Sequence, residues 1–187
     1  NRANISILKT FDNIFLDNTI KQELLYDYNK FIDNKQQYIS IGCPFKRGYM
    51  FCGEPGTGKT SIVYALSQYT RRVIYKIDLN NITNIRKLSK AIEGIPEHSI
   101  LFLDDIDTCP IVKKRSDIKD DKKNDSRSDI TLGDLLNVFD GYTSLINVLI
   151  VMCTNHIDHI DPALIRPGRI DRTFAINNMT KQVVQDV

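Results

Sequence analysis

Apolar residues in this chain gather in short runs separated by segments of helical periodicity, beginning at Tyr49. The runs cover residues 49–52, 73–77, 100–103, 148–153 and 173–176. A strand buried on both faces is apolar at successive positions, whereas a half-exposed strand alternates. Near-continuous apolarity at 100–103 and 148–153 therefore predicts central strands of a parallel sheet. Between the runs, Leu132, Leu135, Leu136 and Phe139 recur at the i, i+3, i+4, i+7 spacing of a core-facing helix, which Gly141 ends. Helices are also predicted at 59–69 and 84–93, and upstream at 19–31, where Ile20, Leu24, Tyr28 and Phe31 fall near one face. Strands alternating with helices predict an α/β fold, a parallel five-stranded sheet flanked by helices. No internal repeat is visible.

Composition narrows this picture. The 187 residues suffice for one domain spanning 1–187, and 42% apolar with 26% charged is ordinary for a globular chain. No stretch is apolar enough to span a bilayer. The first residue is Asn1 and residues 181–187 read as a helix cut short, so a fragment is expected, with an upstream anchor or targeting signal left open. The four cysteines, Cys43, Cys52, Cys109 and Cys153, form no C-x-x-C pair and only three His are present, which argues against zinc and for a reduced, intracellular compartment. Cys52 and Cys153 lie in apolar runs and read as small buried hydrophobes.

Charge is balanced once located. Residues 113–129 hold seven Lys or Arg and five Asp, so the remaining chain has 18 basic (25 minus 7) and 18 acidic (23 minus 5) residues. No overall basic bias points to nucleic acid. That segment has Ile118 as its one apolar residue and is expected to form a mobile insertion.

Four motifs carry candidate chemistry. Gly53, Glu54, Pro55, Gly56, Thr57, Gly58, Lys59 and Thr60 fit G-x-x-x-x-G-K-[ST], between an apolar strand and a helical pattern that continues at Ser61. Such a loop turns backbone N–H groups inward as an anion nest at a helix N-terminus. Lys59 is expected on the β- and γ-phosphates of ATP and the Thr60 hydroxyl on Mg²⁺, which makes the domain a P-loop NTPase core. Next, the apolar run 100–103 ends in Asp104 and Asp105, with Asp107 beyond. Carboxylates at a strand end beside a phosphate loop are what phosphoryl transfer requires. Asp104 is assigned to Mg²⁺ through water, and Asp105 to polarising the attacking water. Third, Thr154 and Asn155 close another apolar strand, where the amide either orients water or contacts the γ-phosphate, or Asn155 is simply a turn residue. Fourth, Asp161 and Pro162 read as the N-cap and first residue of a short helix stopped by Pro167 and Gly168, which projects Arg169. A guanidinium suits phosphate, but an ion pair with Asp171 or Asp158 explains the same spacing.

These motifs in this order resemble the AAA family of ring-forming ATPases, over roughly residues 11–176. The resemblance implies the family's large α/β subdomain, with the helical lid beginning at 180–187 and otherwise missing. It matches Asn155 to the first sensor, and Arg169 and Arg172 to arginine fingers acting on a neighbouring subunit's nucleotide. It places Ile14 and Phe15 at the adenine pocket. Residues 31–34, 47–49, 135–137, Asp140 with Gly141, 154–156 and 161–169 look closest to the branch of the mitochondrial chaperone that translocates the Rieske iron–sulfur protein. Most of the wider family has Glu where Asp105 stands, and that branch also has Asp there, whereas Arg172 follows the broad family rather than that branch. Residues 78–84 carry neither the aromatic nor the glycine of a threading pore loop, which speaks against conventional threading of an extended polypeptide.

The expected function is ATP binding and Mg²⁺-dependent hydrolysis by a homo-oligomeric ring, a hexamer or heptamer, that remodels or moves a protein client. Its place would be the cytoplasm, or the mitochondrial inner membrane if the full chain is anchored. The alternatives are an ATP-gated assembly switch with little hydrolysis, favoured by Asp105, and a nucleic-acid motor or clamp-loader relative, disfavoured by the charge balance. A small-molecule kinase would leave Asn155 and Arg169 unexplained.

Overall fold

The computed structural model describes residues 9–82, 84–112, 130–141 and 145–177. The segments expected above to form a mobile insertion (113–129) and the start of a lid (180–187) lie outside the described residues. Each apolar run contributes a strand: β1 Arg47–Cys52, β2 Val73–Ile77, β3 Ser99–Leu103, β4 Leu149–Thr154 and β5 Arg172–Ala175. The helices are α1 Asn18–Asp33, α2 Lys35–Ser40, α3 Lys59–Thr70, α4 Ile85–Glu93 and α5 Leu132–Asp140. All strand pairs are parallel, in the order β2-β3-β4-β1-β5.

The sheet is covered on both faces, which is why its central strands are apolar at successive positions. Tyr49, Phe51, Ile100, Phe102, Leu149, Val151 and Cys153 pack with α1 and α3. Met50, Leu101, Leu103, Ile150 and Met152 pack with α4 and α5 on the other face. At the edge, β2 leaves Val73 and Lys76 exposed. Cys52, Cys109 and Cys153 are buried, Cys43 is exposed, and all four are free thiols. Burial pushes the Cys153 thiol up, out of its reactive range.

Local signals set the helix starts. Asp17 accepts from the Thr19 and Ile20 amides ahead of α1, and Asn84 from the Lys87 amide ahead of α4. Thr131 and Asp134 form a reciprocal capping box at α5, where such caps contribute about 1 kcal/mol. Short α2 buries no residue, so the hydrophobic pattern carried no sign of it. The helix expected after Asp161 is instead a series of turns. Asp161 Oδ1 accepts from the Ala163 amide at 2.8 Å, and the Asp161 and Pro162 carbonyls accept from the Leu164 and Ile165 amides at 3.0 and 3.1 Å. Pro167 has no N–H to offer the Ala163 carbonyl, and the Arg169 guanidinium takes that carbonyl at 2.5 Å. No helix among the described residues is long and apolar enough to cross a membrane.

Two polar devices tie β1 to its surroundings. Asp27, buried on α1, accepts from Arg47 Nε and Nη2 at 2.9 and 2.6 Å and from the Tyr49 hydroxyl at 3.0 Å. Burial raises the Tyr49 pKa, so the hydroxyl stays a donor. On the other side, Asp171 Oδ2 accepts from the Gly48 amide at 2.7 Å and Oδ1 from the Gly168 amide at 2.8 Å, while the Asp171 amide donates to the Gly48 carbonyl at 2.9 Å. The backbone then lies so close that a Cβ on Gly48 would sit 1.8 Å from the Arg169 carbonyl oxygen. Gly48→Ala is expected to destabilise the domain by about 3 kcal/mol, lowering the thermal midpoint by about 6–12 °C. Thermal unfolding of the two proteins side by side checks this, and an unchanged midpoint would show that the loop yields freely.

Candidate active site

The site collects at the carboxyl ends of the strands, where β1 runs into the phosphate loop. Gly56 and Gly58 have φ of 85° and 88°, in the left-handed region, and Gly58 is the residue before α3. Lacking Cβ, they let the loop make these left-handed turns directly before the N-terminus of α3, the kind of backbone path from which anion nests are built. Lys59 is 6% exposed and folds back, donating from Nζ to the Gly53 and Glu54 carbonyls at 2.7 and 2.8 Å. Both acceptors are neutral carbonyl oxygens, weaker partners for an ammonium than an anionic oxygen.

A cavity of about 380 Å³ opens over this loop. Pro55, Gly56, Gly58, Lys59, Thr60 and Ser61 line it from one side, Asp104 and Asp105 from the end of β3, and Asn155 from the end of β4. Gly53, Glu54 and Thr57 complete the loop without lining the cavity; Thr57 Oγ1 donates to the Glu54 carbonyl at 2.9 Å, and the Gly53 amide to the Thr154 carbonyl at 3.3 Å. The chain crosses from β1 leftward to β2 and from β4 rightward to β5, so the cavity sits at the crevice where an open α/β sheet binds its ligands.

The carboxylates are held differently. The Asp104 side chain is 15% exposed and its Oδ2 pairs with Lys76 Nζ at 2.9 Å. The Asp104 hydrogen bond raises the Lys76 pKa. Lys76 carried a weak signal in the sequence, a single charge inside an apolar strand, easily taken for a solvated edge residue. Asp105 is exposed and adopts φ 47°, ψ 46°, a conformation that costs a non-glycine residue on the order of 1 kcal/mol and clusters at functional sites. In that conformation its Oδ1 lies 3.4 Å from Asn155 Nδ2.

Asn155 is fixed from behind. Asp107, 8% exposed, accepts on one carboxylate oxygen from the Thr154 hydroxyl at 2.9 Å and from the Asn155 backbone N–H at 3.0 Å. Asp107 is thus a positioning residue to which the sequence assigned no role. Its pattern, a third acid after the strand-end pair, was visible; its burial was not.

For a divalent cation, Thr60 and Asp104 offer a hydroxyl and a carboxylate in the same cavity. This hard-oxygen pair fits Mg²⁺, which takes one or two protein ligands and completes its shell with phosphate and water. Among the described residues no group of three or more His, Cys, Asp or Glu could hold a metal by itself.

Besides the three loop residues, four expected site residues lie outside the cavity. Ile14 is half-buried against the α1–α3 core and Phe15 is 68% exposed. Arg169 pairs with neither Asp171 nor Asp158. Its Nε donates to Asp140 Oδ1 at 2.9 Å and its Nη2 to the other carboxylate oxygen, which holds the Asp140 pKa down. Arg172, at the start of β5, faces Glu23 at 3.8 Å and Asp27 at 3.9 Å.

The family model described as "ATPase family associated with various cellular activities (AAA)" matches residues 49–178. An AAA-ATPase of Arabidopsis thaliana is 38% identical over 165 residues, which are 87% of this chain and 36% of that protein. A mitochondrial AAA-ATPase of the same plant is 35% identical over 177 residues, 91% of this chain and 39% of that protein. The probable mitochondrial chaperone bcs1 of Schizosaccharomyces pombe is 32% identical over 181 residues, 96% of this chain and 39% of that protein. The chain therefore spans 36–39% of the length of these relatives. With a phosphate loop, two strand-end acids and a strand-end amide around one cavity, and a family match over more than half its length, the chain belongs to the AAA family of ATPases.

Proposed function

We propose that this domain binds ATP with Mg²⁺ and hydrolyses it at a site completed by a neighbouring copy in a homo-oligomeric ring. The convergence of Lys59, Thr60, Asp104, Asp105 and Asn155 on one cavity of about 380 Å³ carries the reading. The loop amides and Lys59 bind the β- and γ-phosphates, and Lys59 exchanges two carbonyls for phosphate oxygens. Thr60 would hold Mg²⁺ directly and Asp104 through water, and the bound ion would supply charge neutralisation at the transferring phosphoryl group. Asp105 accepts the proton of the attacking water, and Asn155, 3.4 Å from its carboxylate, orients the two. Because Asp is one methylene shorter than Glu, the water must lie closer to the β3 end.

Arg169 acts in trans. In the isolated chain its guanidinium is occupied by Asp140 and by the Ala163 carbonyl, so it must exchange those partners for a neighbour's γ-phosphate. Arg172 holds its acids only at 3.8–3.9 Å and is half-exposed, which suits a second finger. Ile14 and Phe15 flank the adenine. The work done with the energy is the movement or remodelling of a protein client, as the chaperone named among the relatives suggests, and a mitochondrial location fits the two mitochondrial relatives.

In the full-length protein, ATPase activity per subunit is expected to rise with concentration as rings assemble. Arg169→Ala should lower turnover of the assembled protein by about 10³-fold or more while leaving ATP binding intact. Concentration-independent turnover with an unaffected variant would remove the trans-acting arginine. Replacing the base, as Asp105→Asn, should cut single-turnover hydrolysis by about 10²–10⁴-fold and trap bound ATP. Unchanged hydrolysis would reassign the base.

A further inference from the structure

We infer that Lys76 is a resident counter-cation of Asp104, occupying the metal-binding carboxylate until a divalent cation displaces it. This rests on the assignment of Asp104 to Mg²⁺ above and concerns how that metal is admitted. Lys76 stands on the edge strand β2, in register with Phe102 on β3. Its ammonium lies 5.4 Å from the centre of the Phe102 ring and reaches past it to Asp104 Oδ2 at 2.9 Å. A lysine that only protected a sheet edge would extend into water. This one lies across a ring and onto a carboxylate that is 15% exposed, although about half of its own side chain stays in solvent.

Asp104 and Asp105 together present two negative charges to the space that a triphosphate would enter. With no metal bound, Lys76 cancels one of them. A divalent cation held at Asp104, even through water, would sit within about one Debye length of that ammonium, where two cations repel. The Lys76 side chain is 54% exposed, so it can swing into solvent at little cost. Lys76 thus has two opposite effects on the same site: it favours an anionic nucleotide without metal and disfavours the metal itself.

Full-length wild type, Lys76→Gln and Lys76→Arg are titrated with a fluorescent ATP analogue in EDTA, then with Mg²⁺ at fixed analogue. Mn²⁺ binding followed by electron paramagnetic resonance reads the metal directly. Lys76→Gln is expected to bind metal-free analogue about three- to tenfold more weakly, yet to reach its metal midpoint at about three- to tenfold lower Mg²⁺ and Mn²⁺. Lys76→Arg should stay near wild type. A structural role alone would move both affinities in the same direction or neither. A metal midpoint that is unchanged or higher in Lys76→Gln overturns the inference, since Lys76 would then be inert or would help hold the carboxylate for the metal. Wild type that fails to bind the Mg²⁺–analogue complex overturns the nucleotide reading itself, which separates the two failures.

Discussion

A strand covered on both faces can carry polar groups only at its ends, and this constraint organises the molecule. β1, β3 and β4 are buried along almost their whole length between two helical layers. Unpaired polar groups inside them would cost several kcal/mol each. Chemistry is consequently displaced to the rim where the strands stop. Because the strands are parallel, their carboxyl ends share that rim, and the phosphate loop, Asp104, Asp105 and Asn155 become neighbours although about 100 positions separate the first from the last.

The exception inside the fold shows the same logic. Asp27 is a buried carboxylate, but a bidentate arginine and a tyrosine hydroxyl satisfy it. Removing one partner of such a pair typically costs about 3–5 kcal/mol, because the other charge is left uncompensated. The cluster also fixes geometry. Arg47 opens β1, Tyr49 follows two residues on, and Asp27 belongs to α1, so the strand that delivers the phosphate loop is keyed to the upstream helix before the loop begins.

The sheet was legible because its signal is periodicity, and every strand falls within two residues of its expected bounds. α1, α3, α4 and α5 were legible for the same reason, while α2 buries nothing and left no pattern. The phosphate loop and the strand-end acids were readable because each follows directly on an apolar run and their spacing is tight. Asp107, Lys76 and Asp140 were not assigned roles, because each acts through a partner 28 to 48 positions away. Long-range pairing is set by topology, and a sequence declares topology only through the elements it connects. The turns after Asp161 went the other way. The capping signal was real and the Asp161 side chain does cap, but Pro167 denied the next turn its donor.

The segment between Gly168 and Asp171 has a consequence for how a cation is presented. Asp171 grips one amide in β1 itself and one in its own loop, and Gly48 has given up its side chain to let the Arg169 carbonyl approach. The main chain there has almost no room to wander. Whatever surface Arg169 meets, the search is conducted by the side-chain torsions alone, from an anchored Cα. Loop ordering, usually the heavier entropic term in recognition by a flexible segment, has already been settled during folding.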